Sequence, residues 1–200
     1  MKRIIPNRIL QLRCEWIQIF VSIRIIRTIR SFFGFSALIF ITFATQISIL
    51  MDKQETYKLL LSQVKAMVKD ENDPVANMAN VAALIQEAFH FWWTGCYRVI
   101  DDQLVLGPFQ GPVACTRIGF GKGVCGTSWK ERKTIVVEDV EQFPGHIACS
   151  SESRSEIVVP LYKGEEVIGV LDIDSDRLAT FDPIDQLWLE QIAEVVSNVL

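Results

Sequence analysis

Hydrophobic residues recur every three or four positions in three segments of the chain, which predicts three amphipathic helices. These segments are residues 54–69, the stretch that follows Asp73 as far as Phe89, and the stretch that follows Asp182 as far as Val199. Asp73 and Asp182 are each followed by proline, and an Asp-Pro pair is typical of a helix N-cap and first helical position. The residues after Asp182 do not suggest a strict capping box.

Between the second and third helices the pattern changes to alternating and continuous apolar runs, which predict β-strands. The predicted strands are Tyr97–Ile100 and Leu104–Leu106 as one hairpin, Thr134–Val137, and Ile157–Tyr162 with Val167–Asp174 as a second hairpin. Gly119–Gly126 is a glycine-rich turn leading into a short helix near Thr127–Glu131. Helices at both ends of a run of hairpins indicate an α+β fold, with one antiparallel sheet and helices packed on one face.

The last predicted strand carries two carboxylates among apolar residues. Alternation places Leu171 and Ile173 on one side of this strand, and Val170, Asp172 and Asp174 on the other. Either this end of the strand meets water, so that the two acids are solvated edge residues, or the acids line a pocket.

The first fifty residues differ from the remainder in charge. They carry a net charge of +6, whereas residues 51–200 carry −10. An uncharged run from Ser31 to Met51 follows the arginines and reaches the roughly 20 residues that a transmembrane helix needs. The run predicts either a signal anchor, which would make the protein membrane-bound, or an over-extended start upstream of Met51. We favour the second interpretation, which leaves residues 51–200 as the functional domain and predicts a cytoplasmic protein.

The acidic charge of residues 51–200 argues against nucleic-acid binding, because phosphates would be repelled. Five cysteines in 200 residues are too few for a disulfide-dense scaffold, which favours a reducing compartment. Cys149 lies in a run of turn formers and small polar residues, Phe143–Glu156, of the kind that carries chemistry on a rigid scaffold. Because Cys115, Cys125 and Cys149 are spread over separate segments without a Cys-x-x-Cys pair, we expect thiol redox chemistry rather than a zinc knuckle.

Five motifs in order resemble the free methionine-(R)-sulfoxide reductases, which are single GAF-domain enzymes. The motifs are Leu106-Gly-Pro-Phe-Gln-Gly, Gly123-Val-Cys-Gly-Thr, Gly145-His-Ile-Ala-Cys, Ser155-Glu-Ile-Val and Gly169-Val-Leu-Asp-Ile-Asp-Ser. The resemblance covers residues 51–200. It implies a GAF fold, reduction of free methionine-R-sulfoxide to methionine, thioredoxin as the reductant, and a homodimer.

The resemblance also implies the site. Cys149 would be the nucleophile, Cys115 the resolving thiol and Cys125 an auxiliary thiol, although Cys125 could resolve instead. Glu156, Asp172 and Asp174 match the family's substrate-binding acids, and Trp93 and Tyr97 match its aromatic pocket residues. Cys96 departs from the bulkier residue expected there, but strand alternation would turn its side chain away from a pocket shared by Trp93 and Tyr97.

The chemistry of sulfoxide reduction explains why these residue types are needed. Sulfoxide reduction needs a thiolate to attack sulfur and an acid to protonate the departing oxygen. Glu156, Asp172 and Asp174, if clustered, would disfavour one another's ionisation and keep a proton available. The acids that stay ionised would pair with the ammonium group of free methionine. No metal, flavin or nucleotide cofactor is required.

Each of these residues also has a simpler interpretation. Cys115, Cys125 and Trp93 could be core residues, and His146 with Cys149 and Cys115 could hold zinc, although no paired-ligand loop is present. Gly119–Gly126 lacks the Gly-Lys-Ser/Thr ending of a phosphate-binding loop. The alternative function is a non-enzymatic GAF module that senses a small molecule.

Overall fold

A computed structural model describes residues 35–147 and 149–199, with side chains from Asp52 onwards. The chain divides into two units, Met1–Lys53 and Gln54–Leu200. Among the helices that can be described, none is both long and apolar enough to cross a membrane. The predicted anchor begins at Ser31, outside the described residues, and the assignment of residues 1–50 stays a prediction.

The described part of the chain contains four helices and one sheet of six strands. The helices are α1 Phe35–Val68, α2 Pro74–Phe89, α3 Gly123–Glu131 and α4 Pro183–Ser197, with a 3-10 helix at Val140–Gln142. The strands are β1 Trp93–Ile100, β2 Gln103–Gln110, β3 Arg117–Gly119, β4 Ile135–Val137, β5 Ser155–Lys163 and β6 Glu166–Ser175. They are ordered β3-β2-β1-β6-β5-β4, and every neighbouring pair is antiparallel. The predicted antiparallel α+β fold is confirmed.

The two faces of the sheet carry separate apolar clusters. On one face, residues of α1, α2 and α4 pack against alternate residues of the central strands, among them Leu171 and Ile173. On the other face, Val170 belongs to a second cluster that includes Val124 and Cys125 of α3. Helices α2 and α4 and the part of α1 that spans residues 57–68 therefore share one face, as predicted, while the short α3 lies on the opposite face.

Helix starts follow the Asp-Pro pairs. The Asp73 carboxylate accepts a hydrogen bond from the Ala76 N–H at 2.8 Å. At α4 our interpretation was wrong, because the capping box that we discounted is present. Asp182 accepts from the Asp185 N–H, and the Asp185 carboxylate accepts from the Asp182 N–H at 2.8 Å. The two residues lie three apart, and an aspartate at the third position is long enough to close the box.

Some boundaries differ from those predicted. Helix α3 begins at Gly123 instead of near Thr127, and β3 and the 3-10 helix had no clear pattern in the sequence. Gly126 is inside α3 despite the low helix propensity of glycine. A Cβ atom there would lie 2.4 Å from the carbonyl oxygen of Gly119, so a close approach of the two backbones requires glycine. Tertiary packing therefore sets this helix start.

Candidate active site

Strand register places the sequence-predicted pocket residues in one row across the sheet. Trp93 of β1 lies opposite Asp174 of β6, and Asp174 lies opposite Glu156 of β5. Directly opposite residues share a face of the sheet, so these three side chains stand on the α3 side. The alternation of side chains along β6 predicted which face of the sheet carries Asp174. Only the pairing of β1, β6 and β5 brings the three residues together.

The adjacent row of residues across the sheet explains how the Trp93 side chain fits into the site. It consists of Gly95, Asp172 and Val158. A Cβ atom on Gly95 would lie 2.4 Å from the Trp93 ring and 2.5 Å from Phe109, so the absence of a side chain leaves room for the indole. Trp93 then stacks on Phe109 with the ring centroids 5.4 Å apart.

The two rows form part of a cavity with about 540 Å³ of empty space. The cavity is lined by Trp93, Tyr97, Cys125, Cys149, Glu156, Asp172 and Asp174, together with loop residues that include His146, Ser150 and Ser153. Val113 and Ile147 lie at its mouth, with 86% and 39% of their surface exposed. The structure therefore brings the predicted nucleophile, the three acids and both aromatic residues to one cavity.

Cys115 and Cys149 are joined by a disulfide bond with their Cα atoms 5.3 Å apart, within the ordinary range for such bonds. Aromatic side chains hold the segments on both sides of this bond. The Tyr97 hydroxyl donates to the Cys115 carbonyl at 2.9 Å, and the Trp93 indole N–H donates to the Pro112 carbonyl at 3.1 Å. The Trp92 indole N–H donates to Ser150 Oγ at 3.2 Å.

Cys125 lies beside the acids. Its Sγ is 4.0 Å from Glu156 Oε1, and its side chain is 3% exposed. Burial, followed by the charges of Asp172 and Glu156, raises the pKa of the Cys125 thiol well above its ordinary value. A thiol in this setting stays protonated and is a weak nucleophile. Cys96 is on the helix face, as strand alternation predicted.

The three acids lie together, with Glu156 and Asp172 buried and Asp174 partly buried. Burial, then the charges of Asp172 and Asp174, raises the pKa of Glu156 well above its ordinary value. Burial raises the pKa of Asp172 to about 6, although hydrogen bonds with Cys125 and Glu156 oppose the rise. Burial, then the charge of Asp172, raises the pKa of Asp174, which the hydroxyl of Ser153 partly offsets. The cluster therefore favours retention of a proton on its carboxyl groups.

Two observations show that the cluster lacks a cation. No lysine or arginine in the described part of the chain forms an ion pair with Glu156, Asp172 or Asp174. Asp172 Oδ1 is buried and has no hydrogen-bond partner. Because a buried carboxylate oxygen without a partner is costly, this arrangement suits a cationic ligand.

One group among the described residues could hold a metal ion. Cys125, Glu156 and Asp172 each offer a ligand atom, and these atoms lie within 4.8 Å of one another. The alternative zinc set of His146, Cys149 and Cys115 does not offer two thiolates here, because its cysteines form the disulfide. Burial lowers the pKa of His146, so that its imidazole is neutral at physiological pH.

Sequence reasoning missed three residues of the site. Ser150 and Ser153 lie in the serine-rich run 150–155, which the sequence marked only as small and polar. Trp92 was not singled out from the sequence. The predicted roles of Cys149, Cys115, Cys125 and the pocket residues remain predictions, since geometry alone does not test them.

Comparisons with known proteins agree with this geometry. Residues 73–200 match the GAF domain family. The free methionine-R-sulfoxide reductase of Escherichia coli is 44% identical over 151 residues, which is 75% of this chain and 92% of that protein. The yeast Saccharomyces cerevisiae protein of the same name is 38% identical, covering 74% and 87%. The solved structure of the Neisseria meningitidis free methionine-R-sulfoxide reductase with its substrate has a TM-score of 0.72 and 53% identity, covering 74% of this chain and 89% of that one.

Proposed function

The chain belongs to the free methionine-R-sulfoxide reductase family of GAF-domain proteins, and from this membership we propose that it reduces free methionine-R-sulfoxide to methionine. The observation that carries the proposal is the cavity that Cys149 lines together with Glu156, Asp172 and Asp174. This cavity holds both a redox-active sulfur and buried acids that retain protons.

The first step is attack by Cys149, once the disulfide has been reduced. The thiolate attacks the sulfoxide sulfur while an acid of the cluster protonates the oxygen. The attack forms a bond between Cys149 Sγ and the substrate sulfur, and the sulfur–oxygen bond breaks as the protonated oxygen leaves as water. Water then attacks Cys149 Sγ, the bond between the two sulfurs breaks to release methionine, and Cys149 becomes a sulfenic acid. Methionine gains two electrons and Cys149 loses two.

The second step regenerates a disulfide. The Cys115 thiol attacks the sulfur of the Cys149 sulfenic acid, a sulfur–sulfur bond forms, and the hydroxyl leaves as water. The bond between these two residues in the structure supports Cys115 in this role. Cys125 is auxiliary in our proposal, because its raised pKa keeps the thiol protonated.

The acids have two tasks. The protonated one supplies the proton that the sulfoxide oxygen needs, while an ionised one binds the substrate ammonium group. Asp172 Oδ1, which lacks a partner, fits the second task. Because Glu156 and Asp172 are buried in the lining of the cavity, they would reject a methionine sulfoxide whose amino group is part of a peptide bond.

The two aromatic residues differ in what they offer a substrate. The Trp93 ring lines the cavity and would contact the methyl group beside the sulfur, a contact worth about 0.3–1.5 kcal/mol. The Tyr97 ring also lines the cavity, but its hydroxyl is already bonded to the Cys115 carbonyl. Tyr97 therefore contributes its ring to the pocket and its hydroxyl to the resolving cysteine.

The reductant in our proposal is thioredoxin. A thiolate of thioredoxin attacks the Cys115–Cys149 bond to give a mixed disulfide, and its second thiol then releases both cysteines as thiols and leaves thioredoxin oxidised. The exposed aliphatic residues Val113 and Ile147 each stand two residues before one of the bonded cysteines. They give a protein reductant an apolar surface around the bond. This partner suits a cytoplasmic protein.

A coupled assay tests the function. NADPH consumption with thioredoxin and thioredoxin reductase is measured with free methionine-R-sulfoxide, the S epimer and N-acetylmethionine sulfoxide, which lacks the ammonium group. We expect turnover with the first substrate and at least about a hundredfold lower kcat/KM with the N-acetyl compound, since a buried charge pair is lost. No turnover with any sulfoxide would contradict the enzymatic proposal and favour a sensor.

A further inference from the structure

Trp92 ties the loop that carries Cys149 to the sheet. Its indole N–H donates to Ser150 Oγ, at 3.2 Å, and Ser150 directly follows Cys149. Ser150 Oγ also accepts from the Glu152 N–H at 3.2 Å, so that one oxygen holds both the turn of the loop and its link to Trp92. Trp92 itself is half-buried and packs against the cluster on the α3 face.

The two halves of the disulfide are held differently. On the Cys115 side, Tyr97 and Trp93 donate to backbone carbonyls, including that of Cys115 itself. On the other side, the Cys149 N–H donates to the Ile147 carbonyl two residues earlier, at 2.9 Å. Within the described residues, Trp92 to Ser150 is the side-chain hydrogen bond that links the segment 144–152 to the remainder of the domain.

The reaction requires Cys149 to occupy two positions, one facing the substrate sulfur and one bonded to Cys115. If the proposed function holds, the Cys149 segment must move between these positions while the Cys115 segment stays in place. We propose that Trp92 is a positioning residue which, by holding Ser150, keeps the Cys149 sulfenic acid within reach of the Cys115 thiol. The hydrogen bond then favours disulfide closure over further oxidation of Cys149.

The test separates the two steps within one turnover. Reduced wild-type protein and the Trp92→Phe variant, which keeps a ring but loses the donor, are mixed with free methionine-R-sulfoxide and quenched over time. Methionine release reports attack by Cys149, and loss of the Cys115 thiol, the second of the two thiols to be consumed, reports disulfide closure. Dimedone labelling followed by mass spectrometry measures the Cys149 sulfenic acid.

For Trp92→Phe we expect methionine release and KM within about threefold of the wild type, because the attacking residue and the acids are unchanged. We expect disulfide closure to slow about five- to tenfold, the typical effect of one lost hydrogen bond, and the dimedone adduct to accumulate. Ser150→Ala removes the acceptor and should slow disulfide closure to the same extent. The double variant should be no slower than either single one, because both changes remove the same bond. Ser150→Thr keeps a hydroxyl and should restore closure.

Tyr162→Phe is the matched control, because it removes a hydrogen bond from a tyrosine hydroxyl to the Arg132 carbonyl away from the cavity. Closure at the wild-type rate in Trp92→Phe would overturn the proposal. Equal slowing of methionine release and closure would also overturn it, since that result indicates a general loosening of the site. Absence of methionine release in the wild-type protein would instead refute the proposed function.

Discussion

The two faces of the sheet are built from the same strands but have different contents. Strand β6 gives Leu171 and Ile173 to the face covered by helices, and Asp172 and Asp174 to the face with the cavity. The first pair packs among aliphatic side chains, whereas the second pair lies among carboxyl and thiol groups. Because neighbouring residues of one strand serve opposite faces, stability and chemistry can be perturbed separately by substitutions one position apart.

Two buried cysteines, one on each face of the sheet, allow the same comparison. Burial raises the pKa of Cys96, to about 12, and that of Cys125. Cys96 packs among aliphatic residues of the helix face, while Cys125 lies beside Glu156 and Asp172. Burial, followed by the charge of Asp172, raises the pKa of both thiols and makes both weak nucleophiles, and what distinguishes Cys125 is its position beside acids with which it forms hydrogen bonds.

The largest effect is expected for the cysteine at the mouth of the cavity. Cys149→Ser should lower kcat by at least about a thousandfold, because a serine hydroxyl does not form the sulfenic acid and disulfide on which our mechanism depends. Cys96→Ser, on the helix face, should retain kcat within about threefold and lose only stability. Both are measured by the coupled NADPH assay with free methionine-R-sulfoxide. Substantial turnover by Cys149→Ser would refute the assignment of the nucleophile.

A truncation on the helix face should give the opposite outcome. Leu171→Ala removes a buried side chain between the helices and β6, and we expect a loss of about 2–5 kcal/mol in the free energy of unfolding. The kcat measured below the unfolding transition should stay near the wild-type value. Urea titration and steady-state kinetics at low temperature measure the two quantities. A loss of kcat without a loss of stability would mean that the faces are coupled.

The acid cluster should lower the stability of the folded protein as well as contribute to its activity. Glu156→Gln removes a carboxyl group that we expect to bind or protonate the substrate, and kcat/KM should fall by about a hundredfold. Because burial raises its pKa, the folded protein retains a proton that the unfolded chain loses at lower pH. The free energy of unfolding should therefore fall as the pH rises through this raised pKa.

Glutamine has no proton to lose, so the variant should be more stable than the wild type at alkaline pH, by about 1–3 kcal/mol. Thermal unfolding of the reduced proteins between pH 5 and pH 9 measures the difference, with Leu171→Ala as a control that shifts the whole curve downward. If the stability lost between acidic and alkaline pH is instead larger for Glu156→Gln than for the wild type, the raised pKa of Glu156 does not cause the pH dependence of stability.

Much of this comparison could be predicted from the sequence. The apolar and acidic alternation of β6 already assigns Asp172 and Asp174 to one face and Leu171 to the other. What the alternation leaves open is whether that face meets water or lines a pocket, since this depends on Glu156 and Trp93 standing in the same row. The resemblance to a known family supplied both residues before the strand pairing was known.

The residues that escaped prediction act through contacts distant in the chain. Ser150 gains its partner from Trp92, 58 positions away, and Gly95 matters because the Trp93 ring lies over it. Neither fact has a local periodic signal. Helix α3 begins early for a similar reason, because the approach of Gly126 to the Gly119 carbonyl depends on the packed structure.

The two faces can also be compared at the protein surface, through their exposed aliphatic residues. Val113 lies at the mouth of the cavity near the disulfide, and Leu187 lies on α4, with 56% of its surface exposed. If thioredoxin docks around the Cys115–Cys149 bond, Val113→Asp should raise the KM for thioredoxin about three- to tenfold, because an apolar contact becomes a charge. Turnover driven by dithiothreitol should be unchanged, since a small reductant needs no such surface. Leu187→Asp should alter neither, and equal effects of Val113→Asp with both reductants would indicate a disturbed pocket instead of a docking contact.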